Sequence, residues 1–202
     1  MKPKISFILF ALGLFAWNSC NYSGDPLSDE QRERYMSLGQ STVQNAGANL
    51  MSNLVSALED GGVEAAVPFC KLNADSILNA AAEADGILSI RRTTTKYRNK
   101  ANKAKERDKN IFKVYAYALK RGDSLKPILQ LDPENHEVLY YAPILVQPTC
   151  MKCHGNKDEG YTAENFKIIN EHYPKDKAFN YSVGDVRGMW VVTMKDVHST
   201  SE

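Results

Sequence analysis

Apolar positions along the chain fall into two long helical patterns followed by shorter, mostly strand-like ones. Ser28 and Gln31 have the spacing of a capping box, and Val43, Ala46, Gly47, Leu50, Leu54 and Leu58 then recur at helical intervals. Gly61-Gly62 ends that run. A second helix places Ala66, Cys70, Ala74, Ile77 and Ala81 on one inward, apolar face, with Pro68 either starting its main part or kinking it. Beyond Gly86, the β-branched run Ile87 to Thr95 predicts a strand. Asp108 to Arg121 predicts a third helix, with Ile111, Tyr115, Ala118 and Leu119 on its apolar face and Gly122 behind it. Glu137 to Val146 predicts a strand entered through a turn at 132–135. Ala163 to His172 predicts a short amphipathic helix, and Val186 to Met194 a last strand opened by Gly184-Asp185. The order is that of an α+β fold, a small antiparallel sheet with long N-terminal helices packed on it.

The first residues follow a different rule. Lys2 and Lys4 precede an apolar run from Ile5 to Trp17, which ends at Ser19-Cys20. That run has the form of an export signal and falls short of the ~20 residues a bilayer span needs. A cysteine after a small residue at this place is where bacterial lipoproteins are cut and lipidated. The organisation expected is a lipoprotein-type signal peptide at 1–19, a linker at 20–28 and one domain at 29–198. Cys20 would carry the lipid, anchoring the protein to a membrane in the periplasm or on an outer surface. The formal net charge of +1 gives no reason to expect nucleic acid. Lys96 to Lys109 is the densest basic run and reads first as a solvated loop and helix start.

The sequence has four cysteines: Cys20, Cys70, Cys150 and Cys153. Cys150-Met151-Lys152-Cys153-His154 is the Cys-x-x-Cys-His signature of c-type haem attachment, with two thiols for the vinyl groups and a histidine for the iron. One covalent haem c is the cofactor expected. Two other readings stay open on the residues alone, a Cys3His zinc site that includes Cys70 and a thiol redox pair. Taken alone, Cys70 on an apolar helix face is more often a small core residue than a ligand.

Several separated blocks together resemble the Tll-like family of c-type haem domains. They are Ala66 to Cys70, Arg91-Arg92-Thr93 with Lys96 to Asn99, Tyr141 to Ile144, Cys150 to Gly155, Tyr173 to Asp176, and Gly184 to Gly188. The blocks span about 29 to 195. Asn99-Lys100 and Asn180-Tyr181 stand where the family often has Asn-Pro and Gly-Tyr. The resemblance implies a PAS-like small antiparallel sheet, His154 as one iron ligand and Cys70 as the other. His136, His172, His198, Met189 and Met194 are the alternatives to Cys70. For the haem propionates, Arg187 between glycines is the leading candidate, with Arg91, Arg92, Tyr97 and Arg98 beside it.

A thiolate opposite histidine favours ferric iron and lowers the potential relative to methionine ligation. Loss of that thiolate on reduction would open a position for a small gas. The function expected is a redox or diatomic-gas sensor working through a signalling partner. The alternative is a periplasmic electron-transfer cytochrome with a redox partner. Enzymatic activity is not expected, since no distal acid–base pair for peroxidase chemistry is visible.

Overall fold

A computed structural model of the chain describes residues 27–132, 134–156 and 160–196. The readings placed on the export segment, Cys20 and His198 lie outside the described residues.

Helix α1 runs from Asp29 to Ala81. Its start is the capping box: the Gln31 N–H donates to Ser28 Oγ at 3.2 Å and the Ser28 N–H donates to Gln31 Oε1 at 2.6 Å. Its only non-helical dihedrals are at Gly61 and Gly62, the latter at φ 62°. The helix is therefore two arms, broken at the two glycines and not at Pro68, which sits inside the second arm. Leu38, Thr42 and Asn45 of the first arm and Ile77, Ala81 and Ala84 after the break border one groove, so the arms lie side by side.

The remaining elements are β1 (Ile87–Thr93), α2 (Glu106–Lys120), β2 (Ile128–Asp132), β3 (Glu137–Leu145), α3 (Met151–His154), α4 (Ala163–His172) and β4 (Val186–Lys195). The four-stranded sheet has the order β1-β4-β3-β2, antiparallel at every step. This is the α+β architecture expected, with one strand more than the apolar pattern predicts. Residues 128–132 do not alternate cleanly between polar and apolar. Four of them are only half-buried at the sheet edge, so pairing with β3 makes the strand.

The central strands are apolar on both faces because both faces are covered. Val138, Tyr140 and Ala142 of β3 and Trp190, Val192 and Met194 of β4 meet Tyr35, Ala46 and Leu78 of α1. Leu139, Tyr141, Met189 and Val191 meet Ile111 and Tyr115 of α2 on the other side. Helix α1 lies very close to the sheet at Gly39, where a Cβ would stand 2.4 Å from Tyr140 Cγ. Gly39→Ala should therefore destabilise the fold by about 1–3 kcal/mol through overpacking. In an uncrowded helix the same change would stabilise by ~1 kcal/mol. A shift of the urea midpoint to lower concentration at unchanged slope is the expected reading.

The N-terminus of α2 is fixed to β1 by Asp108, which is 0% exposed. Its carboxylate accepts from Arg91 Nη1 (3.0 Å) and Nη2 (2.9 Å), from Thr93 Oγ1 (3.0 Å) and from the Lys105 N–H (3.0 Å). Burial alone would raise its pKa, but these donors outweigh burial and hold the carboxyl below its usual range.

Candidate functional site

Strands β3 and β4 leave the sheet as a pair, and the segment 146–185 grows out between them. Its base is pinched by Val146, whose N–H donates to Asp185 O (2.9 Å) and whose carbonyl accepts from the Gly184 N–H (2.9 Å). A 3-10 turn at Pro148–Cys150 runs straight into α3, so Cys150, Cys153 and His154 share one short helical stretch. The two thiols meet different surroundings. Cys150 borders Val146, Met151, Ala178 and Tyr181, whereas Cys153 borders Val63, Val67, Tyr161 and Ile169. All three described cysteines are free thiols.

His154 Nδ1 lies 2.7 Å from the Ala178 carbonyl. Only a protonated Nδ1 can make that bond, so the geometry assigns the tautomer and leaves the Nε2 lone pair outward. Arg187 Nε is 3.4 Å from that Nε2 and donates to it. Tyr181 stands edge-on to the ring, 6.3 Å away. Burial, then the Arg187 and Arg98 cations, push the imidazole pKa well below its ordinary value, against a smaller opposing effect of the Ala178 carbonyl. The ring is therefore neutral, the form that binds a metal, and its orientation is fixed through the other nitrogen.

The arginines, equivalent in the sequence, separate into two kinds. Arg91 is engaged with Asp108. Arg98 pairs with Asp176 at 3.0 Å and donates to the carbonyls of Cys153 and Ala178, so it braces the motif against the segment after α4. Tyr97 belongs to the same brace: its carbonyl accepts from the Lys177 N–H (3.0 Å), and Lys177 Nζ lies 5.3 Å from its ring centre. Arg92 and Arg187 differ, because among the described residues no carboxylate is hydrogen-bonded to either. Arg92 Nε is buried without a partner, and desolvation lowers the Arg92 pKa. Arg187 donates to Thr94 Oγ1, the Lys96 carbonyl and His154 and lies 5.6 Å from the Tyr181 ring centre, and burial lowers its pKa to about 10.

Cys70 shares a helix face with the buried Ala66 and Ala74, but is itself exposed and is not the core residue its apolar face suggests. It lies within electrostatic reach of Arg92, Arg98 and Cys153. Desolvation there raises the thiol pKa, and the two arginines lower it in part. Of the alternatives to Cys70, His136 lies beyond the far end of β3 from the motif, a nine-residue strand about 30 Å long. Met194 pairs with Val138 near that far end, and Met189 is buried against α2. His172 closes α4 beside Lys71 and Lys175. Among the described residues no three His, Cys, Asp or Glu side chains form a group able to hold a metal ion, so the zinc alternative lacks its ligand set.

Two parts of the site are missing from the sequence reading. One is the Ala178 carbonyl, a backbone atom that carries no residue-type signal. The other is Asp176, which ends the block Tyr173 to Asp176 and orients Arg98. Asn180, nearby, takes φ 57°, a left-handed conformation that glycine adopts freely and asparagine tolerates. Two thiols, a neutral imidazole with Nε2 as its acceptor nitrogen and two buried guanidiniums without carboxylates could together hold a metal-containing group bearing negative charge.

The family model described as Tll0287-like matches residues 27–195. The crystal structure of the cyanobacterial haem protein Tll0287 is similar at 26% identity, with a TM-score of 0.57, covering 85% of this chain and 98% of that one. No curated protein matches the chain.

Proposed function

The chain belongs to the Tll0287-like family, and from that premise we propose that it is an exported, lipid-anchored protein carrying one covalent haem c. The role proposed is sensing of redox state or of a diatomic gas. The observation that carries the haem reading is His154, held neutral by its surroundings with Nδ1 on the Ala178 carbonyl, directly after Cys150-x-x-Cys153. The related structure is that of a haem protein. Haem would supply a metal centre that changes oxidation state and exchanges axial ligands.

Cys150 and Cys153 would hold the haem through thioethers, and His154 Nε2 would bind its iron. Arg92 and Arg187 are the cations left to face the propionates, because Arg91 and Arg98 are engaged with Asp108 and Asp176. Cys70 is the proposed second ligand. A thiolate held less firmly once the iron is reduced is a replaceable ligand, which favours a sensor over the electron carrier, whose fast exchange needs an unchanging ligand set.

The test of the haem reading is attachment. Protein matured with a c-type haem system is denatured, extracted with acid acetone and stained for haem on a gel. Haem that stays on the chain is expected, and haem that leaves it overturns the reading. The ligand reading has its own test. Cys70→Ser should keep haem covalent, lose a thiolate charge-transfer band in the near infrared and raise the potential, a hydroxyl being the poorer donor. An unchanged spectrum and potential would remove Cys70 from the iron and the switch with it.

A further inference from the structure

Beside the site, between the second arm of α1, the turn before α2 and the end of α4, lies a depression of about 240 Å³. Lys71, Arg98, Lys100, His172 and Lys175 line it, and among the described residues no carboxylate does. The geometry points to this surface as the docking face for an acidic patch of a partner protein. The inference rests on the haem reading for its purpose, since it names the kind of partner that would meet the haem.

Three observations carry it. The first is local charge. The chain as a whole is nearly balanced at +1, so this concentration of cations is a property of one face. Lys177, exposed over Tyr97, extends it past the depression. Like charges gathered on one face steer and orient an oppositely charged partner.

The second is shape. Lys71, Lys100 and Lys175 stand exposed around an open rim. Arg98 is the most enclosed cation of the depression, with its side chain 12% exposed, and it is engaged with Asp176 and with the Cys153 carbonyl. A small anion needs donors that converge on it from within. An open ring of lysines fits carboxylates standing out from another protein's surface.

The third is position. Arg98 reaches from the floor of the depression to the carbonyl of Cys153, so the face adjoins the attachment motif.

The experiment uses the full-length, haem-loaded protein, with immobilised poly-L-glutamate as the acidic probe, at several salt concentrations. The variant is Lys71→Glu/Lys100→Glu/Lys175→Glu. The control is Lys113→Glu/Lys120→Glu/Lys126→Glu, which makes the same change in net charge at exposed positions on and after α2. The site variant should lose affinity about tenfold or more and respond less to salt, while the control should stay within about threefold of the wild type.

Equal losses in both variants would show a general charge effect and overturn the docking face. So would inorganic phosphate that saturates the wild type below millimolar concentration and displaces the probe, because the depression would then be a small-anion site. Haem content is read from the absorption spectrum of each sample. Site-specific binding by a chain that takes up no haem would refute the haem reading and leave the surface standing.

Discussion

Cys150→Ala/Cys153→Ala should carry no covalent haem after maturation, with the gel stain at background, while each single variant keeps a reduced signal through its one remaining thiol. The doubly substituted chain should still fold. Each thiol is only half-buried at the edge of a separate cluster, and alanine keeps a small apolar side chain in both places. Such a change at a partly covered site costs about 1 kcal/mol, and far-ultraviolet circular dichroism should remain that of the wild type. Full covalent haem in the double variant would mean that the motif does not attach it. Loss of both haem and folding would mean that the thiols are structural. His154→Ala addresses a different step, since it leaves both thiols and removes the imidazole that Ala178 orients. It should retain bound haem with a changed iron spin state.

The other large effect is expected far from the motif. Asp108→Ala removes an acceptor of four hydrogen bonds that joins α2 to β1. Breaking a buried ion pair costs about 3–5 kcal/mol. The Arg91 side chain is 30% exposed, against 1% for Asp108, so its stranded charge can reach water. The loss should therefore sit near the lower figure, about 3 kcal/mol, read as a lower urea midpoint. The effect should depend on pH. The folded state holds this carboxyl below its ordinary range, so in acid the unfolded chain binds the proton first and stability rises with pH. The Asp108 contribution is complete above the unfolded value and disappears as pH falls through the folded one. Wild type and variant should converge in acid, and a difference that stays constant down to pH 2 would remove the ionic part of the argument.

What could be read from the chain was decided by distance along it. The capping box at Ser28, the break at Gly61-Gly62 and the helix Ala163–His172 depend on neighbours within a turn or two, and local spacing showed them. The attachment motif is local as well. The arginines are the opposite case. Nothing near Arg91 or Arg98 says that their partners stand 17 and 78 residues away. Only the fold distinguishes these engaged guanidiniums from those of Arg92 and Arg187. Strand β2 does not show in its own segment because its signal lies in β3, and Cys70 taken alone reads as a core residue because helical periodicity gives the direction of a side chain but not what covers it.

The pinch at Val146, Gly184 and Asp185 makes the site-bearing segment an overgrown hairpin loop. From the sheet's side only the two strand ends matter, and two backbone hydrogen bonds fix them. The entropy of closing such a loop rises only logarithmically, by about 0.6 kcal/mol for each doubling of length. Residues can therefore be inserted or removed between 147 and 183 with little thermodynamic effect on the β3–β4 pairing. The constraints on that traffic come from α1, whose Val63 and Val67 are covered by Tyr161 and Ile169 of the same segment, and from Arg98, which holds Asp176 and the carbonyls of Cys153 and Ala178. What the loop holds can thus change, provided each change still presents an apolar cover to the second arm of α1 and acceptors to Arg98.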